Sequence, residues 1–378
     1  MPNINDYLDW RGDIPFSVDP FNEVDSLILS ELSYTDFDGI VPQNPRKLIS
    51  VKKMQSMFFD KYDRDEIRSQ VSLIKEAPFL LDKLIKSKRF ENLKAACYVN
   101  DIRTDLDAQM SAVTFFPGDG TSFVAFRGTD TTLVGWKEDF NFSFKKKTEG
   151  QIRAVEYLNH IYKMRFIMPQ YAQHSFEKIR VGGHSKGGNF AVFASAFCHE
   201  EIRKNIIEIY SHDGPGFIKQ VTDSREYENV IPKVCSIMPE GSMIGVLLSN
   251  RIARKFIKSS GKGAMQHDAL TWQVERNHFV QSESRTIGSV FFDETMQKWL
   301  SKISDEEKKD FTDAFFLVLE STGMTTYSEI VKNKMKAISE MHKAVKEMPR
   351  ERQQEFNEIL KLFLKTGREE LQKSTKKV

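Results

Sequence analysis

The sequence predicts an α/β fold with a mostly parallel central sheet, a helical region ahead of it and a helical extension behind it. Three observations carry this. Short β-branched and aromatic runs alternate with helical patterns between residues 91 and 292. A strand-turn-helix signal lies at Val181-Gly-Gly-His-Ser-Lys-Gly-Gly-Asn-Phe190. Both flanks, 1–90 and 293–378, space their apolar residues for helices instead of strands. We read 91–292 as the core, 1–90 as a mainly helical region packed on it, and 293–378 as an extension.

In chain order, Phe21-Asn-Glu-Val-Asp-Ser-Leu-Ile-Leu-Ser-Glu-Leu and the stretch from Arg64 to Ile85 carry amphipathic helical spacing. Strands are expected over Asn92 to Ile102, Met110 to Phe116 and Thr121 to Arg127, with Pro117-Gly-Asp-Gly120 as a tight turn between the last two. A helix from Thr148 to Met164 precedes the strand that enters the Ser185 turn, and Asn189 onward reads as a buried helix. Ile206 to Tyr210 and Lys233 to Ile237 are the next strands. Such alternation implies a parallel sheet covered on both faces. The extension then holds helices over Asp305 to Glu320, Tyr327 to Lys346, and from Pro349 to about Lys373. They form a helical cap or a surface for homo-oligomers, and their apolar stripes at Phe315, Phe316, Leu319, Leu360, Leu362 and Phe363 also suit a lid or a partner.

Charge and cysteine usage narrow the function class. Lys and Arg total 55 against 53 Asp and Glu, so a net charge of +2 points to no nucleic acid partner. Cys97, Cys198 and Cys235 form no CxxC pair and no metal-ligand spacing, and nothing implies a metal or organic cofactor. The first residues lack a signal-peptide pattern, and no run of about 18 apolar residues occurs. The expectation is a cytoplasmic protein with no transmembrane segment.

Gly183-x-Ser185-x-Gly187 is the pattern of a nucleophile elbow, where a strand turns sharply into a helix and exposes one hydroxyl. A side chain at 183 or 187 would collide across the turn. Upstream, Ser122-Phe-Val-Ala-Phe-Arg-Gly-Thr-Asp130 is a buried strand ending at Gly128, so the following loop can supply one oxyanion-binding amide at Thr129 while Lys186 supplies the other. Of eight histidines, His160 and His174 precede the nucleophile, His184 sits inside the elbow, and His199, His212, His278 and His342 fall in unsuitable places. That leaves His267, on the glycine-bearing segment Gly261-Lys-Gly-Ala-Met-Gln-His267, as the general base. Two acids follow strands after the elbow: Asp213, in Ser211-His-Asp-Gly-Pro-Gly-Phe217, and Glu240, in Ile237-Met-Pro-Glu-Gly-Ser242. A base needs one such partner, so at most one of them completes a triad.

Phe126-Arg-Gly-Thr129 followed by Trp136 and Asp139, then Gly183-His-Ser-Lys-Gly-Gly188, resembles the class-three lipases over residues 120–270. That resemblance implies an α/β-hydrolase fold. It favours Glu240 as the acid, because in those lipases the acid follows the second strand after the elbow. Lys186 departs from the lipase pattern, which has an apolar residue after the nucleophile. Asp6-Tyr-Leu-Asp-Trp-Arg-Gly-Asp13, Phe21-Asn-Glu-Val-Asp25, Leu32-Ser-Tyr-Thr-Asp-Phe37, Asp213-Gly-Pro-Gly-Phe217 and Gln266-His-Asp268 with Trp272 resemble the bacterial Mbeg-like family of unknown function, which is placed in the same superfamily. Together these readings lead us to expect a serine hydrolase acting on a small-molecule ester or lipid. An acyltransferase with the same triad and a catalytically silent binding protein are the alternatives.

Overall fold

The computed structural model describes residues 2–375 apart from 71, 73, 131 and 325. At its centre, eight strands lie side by side in sequence order: β1 (Ile49–Ser50), β2 (Lys94–Arg103), β3 (Ala108–Phe116), β4 (Ser122–Phe126), β5 (Ile179–His184), β6 (Ile206–His212), β7 (Val234–Pro239) and β8 (Arg254–Ile257). From β1 to β4 the neighbours run antiparallel, and from β4 to β8 they run parallel. Connection length decides which. A tight turn joins β3 to β4, with Gly118 and Gly120 at φ +97° and +81°, whereas each parallel step from β4 to β7 returns through helices. β8 carries no clear strand signal in the sequence, because its run Arg254–Ile257 is short and charged.

Helices surround the sheet. Ahead of β2 lie α1 (Ile4–Arg11), α2 (Glu23–Leu32), α3 (Val51–Lys61), α4 (Arg64–Ser69) and α5 (Leu80–Leu84). Asn3 and Asn22 start the first two with capping boxes closed by Asp6 and Asp25. Between β4 and β5 come α6 (Leu133–Asn141), α7 (Glu149–Met164) and α8 (Gln170–Ser175). The turn out of β5 opens α9 (Lys186–Phe197), which is followed by α10 (Glu200–Asn205); α11 (Lys219–Thr222) and α12 (Arg225–Val230) join β6 to β7.

Strand alternation sorts the core into two faces. Phe123, Ala125 and Tyr210 point into one cluster with Val24, Leu27 and Ile28 of α2, while Val124, Phe126 and Ile209 join Leu158 of α7 and Phe190 of α9 in the other. One face of the parallel sheet is therefore covered by a helix that lies far ahead of it in sequence. Arg89 fastens that helix: its guanidinium is fully buried, donates to both Asp25 carboxylate oxygens at 2.7 and 2.5 Å, and also reaches the carbonyls of Asp19 and Pro20.

The extension holds α13 (Ile287–Ser301), α14 (Asp305–Glu320), α15 (Tyr327–Lys332), α16 (Lys334–Glu347) and α17 (Arg350–Thr375). The single helix expected over Tyr327 to Lys346 is broken at Asn333, which sits at φ −113°, ψ 36°. Trp299, Phe311 and Phe356 give the extension its own small core. It also touches the main body, where Phe315 and Phe316 pack on Phe140 of α6 with ring centroids 5.7 and 5.5 Å away. Thr326 bridges Thr132 at the start of the same helix. No helix among the described residues is long and apolar enough to cross a membrane.

Candidate active site

Ser185 lies between the last residue of β5 and the first of α9, at φ +58°, ψ −131°, a region that L residues rarely occupy. Packing holds it there. A Cβ on Gly183 would enter the Gly187 backbone, and one on Gly187 would enter the end of β4 at Phe126 and Arg127. The collision expected across the turn is thus partly a collision with the neighbouring strand. The Ser185 amide donates to His212 O at 2.9 Å, which ties the elbow to the end of β6.

The residue after His212 is Asp213, whose amide donates to Ile237 O at 2.7 Å on the next strand. Its Oδ2 lies 2.6 Å from His267 Nδ1, and its other oxygen accepts from Ser242 Oγ at 2.5 Å and from the Gly245 amide at 3.2 Å. The carboxylate is fully buried and each oxygen is engaged. Opposite a carboxylate, Nδ1 carries the hydrogen, which leaves the Nε2 lone pair of a neutral His267 free to accept a proton.

Glu240, which the lipase resemblance favours, is not the carboxylate paired with His267. Its Oε2 accepts from Ser282 Oγ at 2.5 Å, and its amide donates to Ile257 O, so backbone and side chain are both turned toward β8 and the segment beyond it. Asp213 stands at the end of the strand adjacent to the elbow, and Glu240 one strand further away. The loop carrying Glu240 still contributes, because Ser242 is the hydroxyl donor to Asp213.

His184, unsuited as a base from its place in the elbow, holds the backbone of His267. Its Nε2 donates to the backbone oxygen of His267 at 2.9 Å, and the two imidazole centroids are 4.5 Å apart. With Nε2 as donor, Nδ1 accepts from the Tyr34 hydroxyl at 3.0 Å, while a Glu31 oxygen lies 3.3 Å from the same nitrogen. Burial drives the His184 pKa well below the usual imidazole value, reinforced by His267 and His212, and burial raises Glu31 well above a normal carboxylate. Tyr34 also explains Gly128, since a Cβ there would strike its hydroxyl and the His184 carbonyl. Tyr34 lies in the motif Leu32-Ser-Tyr-Thr-Asp-Phe37, but nothing in the local sequence signals that it and Glu31 reach the elbow from α2 and the residues just after it.

The loop of His267 is anchored by its own motif. Trp272 Nε1 donates to Gln266 O at 2.8 Å, and Gln266 Oε1 accepts from the Gly241 amide at 2.9 Å. On the opposite side, Thr129 Oγ1 donates to Asp139 Oδ2 at 2.6 Å. Burial lifts the Asp139 carboxyl to about 6 against the opposing pull of Lys186 and Thr129, and its Oδ1 is buried without a partner. Lys186 is the first residue of α9, so its amide belongs to the helical turn that lacks intrahelical acceptors. The Ser185 turn, the Asp213–His267 pair and the Thr129 loop thus lie at the carboxyl ends of β4, β5 and β6.

No curated protein matches the chain. Among solved structures, a crystal structure of M37 lipase is similar at 15% identity and a TM-score of 0.35, over 58% of this chain and 68% of that one. The description Mbeg1-like matches residues 84–317, which take in Thr129, Ser185, Asp213 and His267 but not Glu31 and Tyr34, and the chain belongs to the Mbeg1-like family.

Proposed function

We propose that the protein is a serine hydrolase that cleaves a carboxylic ester through an acyl-enzyme. The observation that carries this reading is the 2.6 Å pairing of Asp213 with His267 on a loop that His184 ties to the strained Ser185 turn. In the first step, Ser185 Oγ bonds to the ester carbon as His267 Nε2 takes the hydroxyl proton. Negative charge then rests on the former carbonyl oxygen, where the amides of Thr129 and Lys186 donate to it. Collapse breaks the bond to the alkoxide, which leaves with the proton from His267. Water repeats the sequence: His267 takes its proton, the hydroxide adds to the acyl carbon, and Ser185 Oγ departs with that proton. Asp213 keeps Nδ1 protonated and stabilises the imidazolium without itself changing protonation.

A fluorophosphonate probe tests the nucleophile. Wild type is expected to label and Ser185→Ala is not; labelling that survives the substitution removes the proposal. The acid is tested by turnover of p-nitrophenyl butyrate. Asp213→Asn is expected to lower kcat by about 10⁴-fold and Glu240→Gln by less than about tenfold. The reverse order would restore Glu240 as the acid. Labelling without hydrolysis, together with ester consumption when an alcohol is added, would favour acyl transfer.

A further inference from the structure

A buried cation stands one residue beyond Ser185. The side chain of Lys186 has no exposed surface, and its Nζ donates to Gln109 Oε1 at 3.1 Å and to Glu138 Oε2 at 3.3 Å. Glu138 is equally buried and otherwise saturated, accepting from the Gln109 amide at 2.9 Å and the Gly150 amide at 2.8 Å. Gln109 carries the network onward, with its Nε2 donating to Thr132 Oγ1 at 3.3 Å and its Oε1 accepting from the Asp130 amide at 3.4 Å. Five segments are therefore joined in one network around this ammonium: the elbow, the start of β3, the loop after β4, α6 and α7.

Packing alone does not call for this arrangement. Taking a lysine and a glutamate out of water costs several kcal/mol per ion, and an apolar pair of similar volume fills such a space at no such cost. What the charged pair adds is direction and a fixed field. The oxyanion amides at residues 129 and 186 belong to separate segments, so their convergence depends on how the loop after β4 is held against the elbow. The network spans that gap: one end is the side chain of residue 186, and the other grips Asp130 and Thr132 on either side of position 131, just past Thr129. A Cβ on Gly135 would strike both Gln109 and Thr129, so the contact between network and loop is close.

We propose that the Lys186 side chain is a positioning residue for the oxyanion hole, registering the Thr129 loop against the elbow through Gln109 and Glu138. This rests on the serine hydrolase reading. The charge also acts on Asp139, the partner of Thr129, whose carboxyl Lys186 draws down against burial.

The test separates this role from a structural one. Lys186→Met alone strands Glu138 as a buried charge, so the informative protein is Lys186→Met/Glu138→Gln, which keeps shape and removes both charges. It is expected to melt within a few degrees of wild type and to hydrolyse p-nitrophenyl butyrate with kcat lowered about 10- to 100-fold and KM within twofold. Gln109→Met, which leaves the ion pair intact but cuts the link to Thr132 and Asp130, is expected to lower kcat in the same way. Should the double variant fail to fold, Gln109→Met alone decides. A folded variant whose kcat stays within twofold of wild type overturns the proposal. If wild type neither labels with fluorophosphonate nor turns over ester, the hydrolase reading falls and takes this inference with it.

Discussion

Ser185 at φ +58°, ψ −131° occupies a backbone region that is the mirror image of the extended conformation, open to glycine and strained for any residue with a Cβ. Strain of this kind costs on the order of 1–3 kcal/mol. Ser185→Gly is therefore expected to be more stable than Ser185→Ala by about 1 kcal/mol, raising Tm by roughly 2 °C by calorimetry, while neither labels. A lower Tm for the glycine variant would mean that the turn is unstrained. The pattern of glycines around Ser185 made this conformation legible in advance, because only small residues fit where β4 and α9 crowd the turn. The carboxylate partner of His267 was not legible in the same way. Asp213 and Glu240 both follow strands, and only the fold shows that the His267 loop comes down on the nearer strand end. In the structure Asp213 directly follows the strand next to the elbow and takes φ +50° before Gly214.

Among the elements, α2 has the largest effect out of proportion to its length. Every residue from Val24 to Leu32 is buried, and the helix contributes Glu31 to the site as well as the apolar face that covers the sheet. Its helical pattern was evident from the sequence, but its place against β4, β5 and β6 was not, because nothing local encodes a contact across 90 to 180 residues. The fastening of α2 rests on Arg89 and Asp25, both with no exposed side-chain surface. Burial raises the Asp25 carboxyl even with the guanidinium opposing it, so removing the arginine leaves an acid that must be neutralised in place. Arg89→Met is expected to lower unfolding free energy by about 3–5 kcal/mol in urea at neutral pH. Adding Asp25→Asn should recover part of that loss, and equal stability of wild type and the single variant would show that the pair contributes nothing. The same logic explains why β8 carries no clear strand signal: Arg254 and Lys255 interrupt its alternation, yet the half-buried Lys255 pairs with Glu23 of α2 at 2.7 Å.

For the whole molecule, the buried histidines set how stability responds to acid. His212 is fully buried against Tyr210, Trp272 and Phe279, with Nε2 bonded to Ser26 Oγ at 2.8 Å and Nδ1 without a partner. Burial alone pushes its pKa down to about 3, from 6.5 in an unfolded chain. Between those values the unfolded state binds a proton that the folded state refuses, so stability is present above the unfolded pKa and falls as pH drops below it. From pH 7 to pH 5 this one group is expected to remove about 2 kcal/mol. Other groups titrate too: His184 is shifted in the same sense, whereas the raised carboxyls of Asp25, Glu31, Asp139 and Asp268 work in the opposite one. His212→Phe isolates the effect, because the aromatic packing is kept and Ser26 Oγ retains its bond to Glu23 O at 2.8 Å. Urea unfolding of both proteins at pH 7 and pH 5 should show wild type losing about 2 kcal/mol more than the variant. Equal losses would mean that His212 is protonated in the folded state, and the ring would then need an acid partner that its surroundings of aromatic side chains and one hydroxyl do not provide.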